Sequence, residues 1–129
     1  MHTPITAFYA GLLGIYLLYL SALVVRGRFK KQIPLGDGGD FHFQQVVRAH
    51  GNFTEYTPIV LILLFVAEVN GSNSILLHCA GSALFFGRVI HSFGLRRHTG
   101  PSWQRVSGML MTFLSLVILS ILNILILYK

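Results

Sequence analysis

Arg48, Asn52 and Glu55 stand at i, i+4 and i+7, and at about 100° per residue that spacing puts all three on one narrow stripe of a helix. A guanidinium, an amide and a carboxylate in line can hold a small molecule bearing charges of both signs. Arg88 and His91 are three residues apart, and Arg105 follows Gly100-Pro101 and Trp103. The surrounding sequence is apolar. An ionisable group at membrane depth costs about 2.5–3.5 kcal/mol on insertion scales, so Glu55 requires a partner, a proton or an aqueous pocket. Two readings are open. Arg48 and Glu55 form a pair that locks a bundle near a helix end, where long side chains snorkel, or they are part of a ligand site. Arg26, Arg28, Arg88 and Arg105 favour the second, because several guanidinium groups then face one nearby carboxylate. Arginine forks bind carboxylates, and Glu55 with Asn52 can accept from an ammonium. The cluster therefore suits a small zwitterion with more than one carboxylate.

The elements that position these residues follow from composition. The chain has 129 residues, room for one domain, with 53% apolar and only 11% charged residues and a mean hydropathy of +0.66. This excludes an ordinary soluble fold and the disordered, fibrous and disulfide-rich classes. The one cysteine, Cys79, offers neither an internal disulfide nor a cysteine-based metal site. Four apolar stretches read as membrane helices: 5–25, about 44–69, about 74–93 and 103–128, the last uncharged from 106 to 128. About 20 residues cross a bilayer core, and lipid forces each segment to satisfy its backbone internally. Strands would alternate in polarity, and these stretches do not. The expected fold is an all-α, four-transmembrane-helix bundle. Met1, His2 and Thr3 supply no cationic start, so the first stretch reads as a permanent span rather than a cleaved signal.

Short connections make neighbouring helices antiparallel. Arg26, Arg28, Lys30, Lys31, Arg48, Arg88, Arg96, Arg97 and Arg105 then fall on one side and only Lys129 on the other. The positive-inside rule places loops 1–2 and 3–4 in the cytoplasm and both termini opposite. The net charge of +6 reads as topology and attraction to anionic membrane lipids, not as nucleic-acid binding. Pro58 lacks the amide hydrogen that would bond to the Thr54 carbonyl, and a kink beside the polar stripe is expected.

The run Arg48-Ala-His50-Gly-Asn52-Phe-Thr-Glu55-Tyr56-Thr-Pro58 resembles the second-helix signature of the MAPEG superfamily, the membrane-associated proteins of eicosanoid and glutathione metabolism. The Gly36-Asp37-Gly38-Gly39 loop and the run Gly87-Arg88-Val-Ile-His91-Ser-Phe-Gly94 are similar to its bacterial branch, which implies an inner-membrane protein. The resemblance covers essentially the whole chain. It implies a homotrimer with glutathione bound between subunits near the cytoplasmic side. In that scheme Glu55 and Asn52 receive the ammonium end, Arg48 and one of Arg26 or Arg28 hold carboxylates, His50 and Tyr56 add contacts, and Arg88 with His91 come from the third helix. Family chemistry runs through a thiolate that attacks a hydrophobic lipid-like or xenobiotic electrophile or reduces a hydroperoxide. A neighbouring cation and a helix N-terminus both favour a thiolate, which makes Arg105 the candidate catalytic residue. Arg105 equally fits a topology anchor.

The resemblance implies a glutathione-dependent transferase or peroxidase. Eukaryotic enzymes of this type often carry tyrosines where this chain has His91 and Leu95, and the superfamily includes a non-catalytic lipid-binding member. A protein that holds glutathione or lipid without turnover is therefore an alternative, and a small proton-coupled exporter is a third. The remaining polar residues read as structural. His78 and Cys79 are expected to be packed within the third span, and His2, His42 and His98 to lie at the surface without ligand partners. Asp37 and Asp40 belong to a turn, since no strand and no G-x-G-x-x-G accompany them. Ala83 and Gly87 form a small-xxx-small pair. No metal site is expected.

Overall fold

The computed structural model describes residues 1–129 and contains four long helices and no strand. They are α1 Pro4–Lys31, α2 Phe41–Val69, α3 Ser74–Arg97 and α4 Trp103–Leu125, the last continued by a 3₁₀ turn at Ile126–Tyr128. All four are long and apolar enough to cross a membrane. The helices outrun the apolar stretches at the basic end: α1 by six residues, α3 by four, and α2 begins three residues early. Hydropathy marks where lipid begins and ends, whereas a helix continues into the headgroup zone until a cap stops it. Arg28, Lys30 and Lys31 occupy the last turn of α1, where cations complement the negative end of the helix dipole.

The helix ends are set by short-range chemistry. Gln32 stops α1 in the left-handed region at φ 54°, and the Ile33 amide donates to the Arg28 carbonyl at 3.1 Å. Asp37 and Asp40 do belong to a turn. Asp37 accepts from the Gly39 amide at 2.9 Å, and Asp40 caps α2 by accepting from the Phe43 amide at 2.9 Å while pairing with Lys31. Asn73 caps α3 and Ser102 caps α4. The start of α1 has no acidic residue of its own. Glu68, at the far end of α2, accepts from the Ile5 and Thr6 amides at 2.9 and 2.7 Å and stands where an anion best complements the dipole.

One strip of buried apolar side chains runs through the bundle, including Leu13 and Leu20 of α1, Phe53, Val60 and Leu64 of α2, Leu77 and Leu84 of α3, and Leu119 of α4. The faces turned away from it are apolar as well, as lipid contact requires. Helices α3 and α4 meet along a seam of small residues. A Cβ added to Gly87 would stand 2.8 Å from the Gly108 carbonyl oxygen, and one added to Gly108 would stand 2.6 Å from both the Gly87 oxygen and the His91 nitrogen. Gly87 thus makes the close approach expected of it, but its companions are Ala80, whose carbonyl accepts from Ser115 at 2.8 Å, and Gly94, packed against Gln104 and Arg105. These sit seven residues to either side of Gly87, whereas Ala83 lies off that line. Helix α2 is continuous through Pro58.

Two expectations on α3 need correction. Cys79 is exposed on the helix surface rather than packed. His78 is also exposed, and its Nδ1 lies 3.1 Å from the Tyr9 hydroxyl. Both residues fall in the first two turns of α3.

Candidate functional site

The polar stripe of α2 forms on the helix as its spacing requires, and its three members take different partners. Arg48 reaches along the helix to Glu55, with Nη1 donating to Oε1 at 3.1 Å and Nη2 to Oε2 at 3.4 Å. Both side chains are about half exposed, at 52% and 53%. Between them Asn52 turns inward, and its Oδ1 and backbone carbonyl accept from Nη1 of Arg88. The Arg88 guanidinium thus takes one of the two acceptor positions on the Asn52 oxygen, and the second remains.

Arg88 is the largest fully buried side chain in the chain, 1% exposed. Its Nε donates to the Thr112 hydroxyl at 2.8 Å, Nη2 points to the Met109 sulfur at 3.7 Å, and the Tyr56 ring covers it with Cζ 5.2 Å from the centroid. Thr112 in turn donates to the Gly108 carbonyl at 2.9 Å. Every partner is neutral. All four carboxylates of the chain are engaged elsewhere: Asp37 in its turn, Asp40 with Lys31, Glu55 with Arg48 and Glu68 on the start of α1. Of the arginines, only Arg48 is paired with a carboxylate, and Arg88 is the one of the others that is fully buried. His91, one turn on, is also buried.

Other expected site residues are held apart from this cluster. Arg28 donates to the Ile33 and Gly36 carbonyls at 3.2 and 3.0 Å and lies over the Phe43 ring, so it ties the first loop to α1. Arg26 is exposed near the end of α1. His50 faces α1, with Nε2 3.1 Å from the Ser21 hydroxyl. Sequence spacing fixes the face of a residue's own helix but not what the next helix brings to it, and so it did not separate Arg28 and His50 from Arg48.

Arg105, in the first turn of α4, donates from Nη1 to the Gly100 carbonyl at 3.3 Å, while its amide is capped by Ser102. It borders two concavities. One, of about 120 Å³, lies at the basic end among the polar side chains Gln44, Gln45, Arg48, His98, Thr99 and Arg105 together with Phe41 and Leu95. Its walls are fixed by Gln45, whose amide donates to the last carbonyls of α3, Leu95 at 3.0 Å and His98 at 2.7 Å. The other, of about 320 Å³, is lined by Pro101, Arg105, Val106, Met109 and Leu110 and is apolar apart from the arginine. A larger hollow of about 560 Å³ lies between the end of α1 and the first loop. It contains one charged residue, Arg28, already bonded to carbonyls, and so lacks the paired groups of the α2 stripe.

Sequence reasoning missed Gln45, Thr112 and Met109. Thr112 had a signal: with Gly108, Ser115 and Leu119 it forms a stripe at i, i+4, i+7 and i+11 in an apolar helix, and buried hydroxyls on such a stripe need partners.

The sequence is similar to those of known proteins. The model of the MAPEG family covers residues 6–125. The inner membrane protein YecN of Escherichia coli strain K12 is 36% identical over 120 residues, 93% of this chain and 90% of the relative, and YecN of strain O6:H1 agrees to the same degree. Four apolar helices and an inner-membrane relative together fit a multi-pass inner-membrane protein. With a family match across nearly its full length and a relative 36% identical over 93% of the chain, the chain belongs to the MAPEG family.

Proposed function

We propose that the protein is a glutathione-dependent transferase or peroxidase of the inner membrane, acting as a homotrimer on hydrophobic electrophiles, with the two basic loops in the cytoplasm. The observation that carries this reading is that Arg105 lines both a groove with mainly polar side chains and a second with apolar ones. A thiol peptide held on the polar side and a lipid-like acceptor on the apolar side would meet at that guanidinium. There the cation and the N-terminus of α4 both favour the thiolate over the thiol. The thiolate attacks the electrophilic carbon of the acceptor or the peroxide oxygen. In the first case the acceptor's leaving group departs with the electron pair. In the second an alkoxide departs and takes up a proton, the sulfur keeps the hydroxyl as a sulfenic acid, and a second thiol displaces that oxygen as water to give glutathione disulfide.

The polar groove, at about 120 Å³, is smaller than the roughly 300–1,000 Å³ of small-molecule sites. This supports a site completed by a second subunit, on which the exposed Arg26 and the half-exposed Arg48 and Glu55 would converge. The test is a calorimetric glutathione titration of the purified protein in detergent, followed by conjugation to an electrophilic aromatic substrate. Removing one preorganised charge-stabilising donor costs about 10²–10³ in turnover. Arg105→Ala should accordingly lower turnover about a hundredfold while glutathione binding changes less than threefold. Binding of glutathione with no conjugation or peroxide reduction on any acceptor would establish a binding protein instead.

A further inference from the structure

Met109 is the one nucleophilic side chain of the apolar groove, and a buried arginine is bonded to it. Its sulfur lies 3.7 Å from Nη2 of Arg88, and the same side chain lines the groove of about 320 Å³ with Pro101, Arg105, Val106 and Leu110. That volume falls within the roughly 300–1,000 Å³ of small-molecule sites. Val106 and Leu110 are 53% and 61% exposed, so the groove opens outward from the bundle. Nε and Nη1 of Arg88 are served by oxygens of Thr112 and Asn52, whereas Nη2 meets only the sulfur. A thioether is a weak acceptor, so one arm of a fully buried cation ends on a weak bond. Oxidation to the sulfoxide places a polar oxygen on that sulfur, and oxygen accepts more strongly from a guanidinium.

We propose that Met109 is an oxygen-accepting modification site for apolar hydroperoxides seated in this groove, with Arg105 assisting the transfer and Arg88 receiving the sulfoxide oxygen. The inference rests on the reading of the apolar groove as the acceptor's place, but its chemistry needs no thiol. One sulfur lone pair faces Arg88 and the other is free. The free pair attacks the distal peroxide oxygen, the O–O bond breaks, and its electrons leave on the alkoxide. The alkoxide takes the proton of the transferred hydroxyl, so one hydroperoxide and one thioether give one alcohol and one sulfoxide. Sulfur loses two electrons and the peroxide gains them. The Arg105 guanidinium stabilises the departing alkoxide. Nη1 keeps its bonds to Asn52 throughout, because the new oxygen is bound at Nη2. Met111 is an internal control. It packs at the seam, its Cβ 3.0 Å from a Cβ placed at Gly87, and lines neither groove that Arg105 borders.

The test treats the full-length protein in detergent, free of thiol, with cumene hydroperoxide or with hydrogen peroxide, and reads the added oxygen at each methionine by peptide mass spectrometry. Cumene hydroperoxide should oxidise Met109 about tenfold faster than Met111, the advantage of one charged donor to the leaving oxygen, and release one cumyl alcohol per sulfoxide. Hydrogen peroxide has no apolar part to seat and should oxidise the exposed Met1 first, without that preference. Arg105→Ala should slow Met109 about tenfold and leave Met111 unchanged. The oxidised wild type should melt no lower than the reduced protein, since Arg88 takes the oxygen. Equal rates at Met109 and Met111 with cumene hydroperoxide, the same preference with hydrogen peroxide, a Met109 rate indifferent to Arg105→Ala, or a clear fall in melting temperature on oxidation each overturns the proposal. None of these results touches the glutathione titration, and a protein that binds no glutathione can still oxidise Met109, so the two readings fail separately.

Discussion

The two ends of the bundle treat polar groups in opposite ways. At the end away from the basic loops, several polar groups are answered by a neighbouring helix, although the Thr6 hydroxyl and the Asn123 Oδ1 have no partner. Glu68 of α2 caps α1, the Tyr9 hydroxyl bonds His78 and Ser82 of α3, and Asn123 of α4 donates to the Leu63 carbonyl of α2. At the basic end, Arg88 is buried among neutral acceptors and Arg48 and Glu55 are joined only to each other in the open. Lipid makes unpaired polar groups expensive at either end. The first end leaves only neutral oxygens unpaired, and the second leaves positive charge over. Polar residues in a membrane helix therefore do not by themselves mark a site. What marks it is charge that the chain's own groups do not neutralise.

The sharpest way to break this comparison is to remove the surplus cation. Arg88→Ala opens a cavity and strips Asn52 Oδ1 and the Thr112 hydroxyl of their donor. Cavity formation together with orphaned acceptors should cost about 3 kcal/mol in unfolding measured in detergent. Loss of glutathione affinity should accompany it, because the α2 stripe loses the guanidinium that ties it to α3 and α4. A variant as stable as the wild type with unchanged binding would show that Arg88 is neither a structural tie nor part of the site.

The opposite end supplies the control. Glu68→Gln retains an acceptor but removes the charge facing the start of α1, and charge at that position is worth about 1 kcal/mol. Thermal unfolding should report that loss while the glutathione titration stays where it was. If binding shifts as well, the two ends are coupled and the division between a structural and a functional end fails.

Much of this division could be read before folding, and the remainder could not, for identifiable reasons. The four helices follow from uncharged runs long enough for a bilayer, and the stripe of Arg48, Asn52 and Glu55 follows from helical spacing, because both are properties of contiguous sequence. The ends of α1, α2 and α3 differ from the apolar limits because caps such as Gln32 and Asp40 act outside the lipid. The inward turn of Asn52 toward Arg88 and the departure of Arg28 to the first loop depend on contacts 36 and 5–8 residues away in sequence, which no periodicity encodes. Glu68 left one trace: α1 begins without an acidic residue in its first turn, and a lone carboxylate at the far membrane boundary needs a partner. Connecting the two requires knowing that α1 and α2 lie side by side.

The smallest expected effect probes the loop that carries the surplus charge toward water. Lys31 donates to Asp40, and together with the bond from the Phe43 amide this holds the Asp40 carboxyl below the ordinary carboxylate range. A carboxyl depressed in the folded state contributes stability above its unfolded pKa, about 3.9, and loses it as pH falls through the folded value. Asp40→Asn keeps an oxygen to cap α2 but drops the charge. It should therefore melt slightly below the wild type at neutral pH, by a degree or two, and the gap should close on acidification below the ordinary range. Because the group is exposed, added salt should narrow the gap at neutral pH too. A gap that persists in acid would assign the effect to the geometry of the cap rather than to the Lys31 pair. The polar contacts at the start of α2 would then resemble those of the opposite end, structural and indifferent to charge.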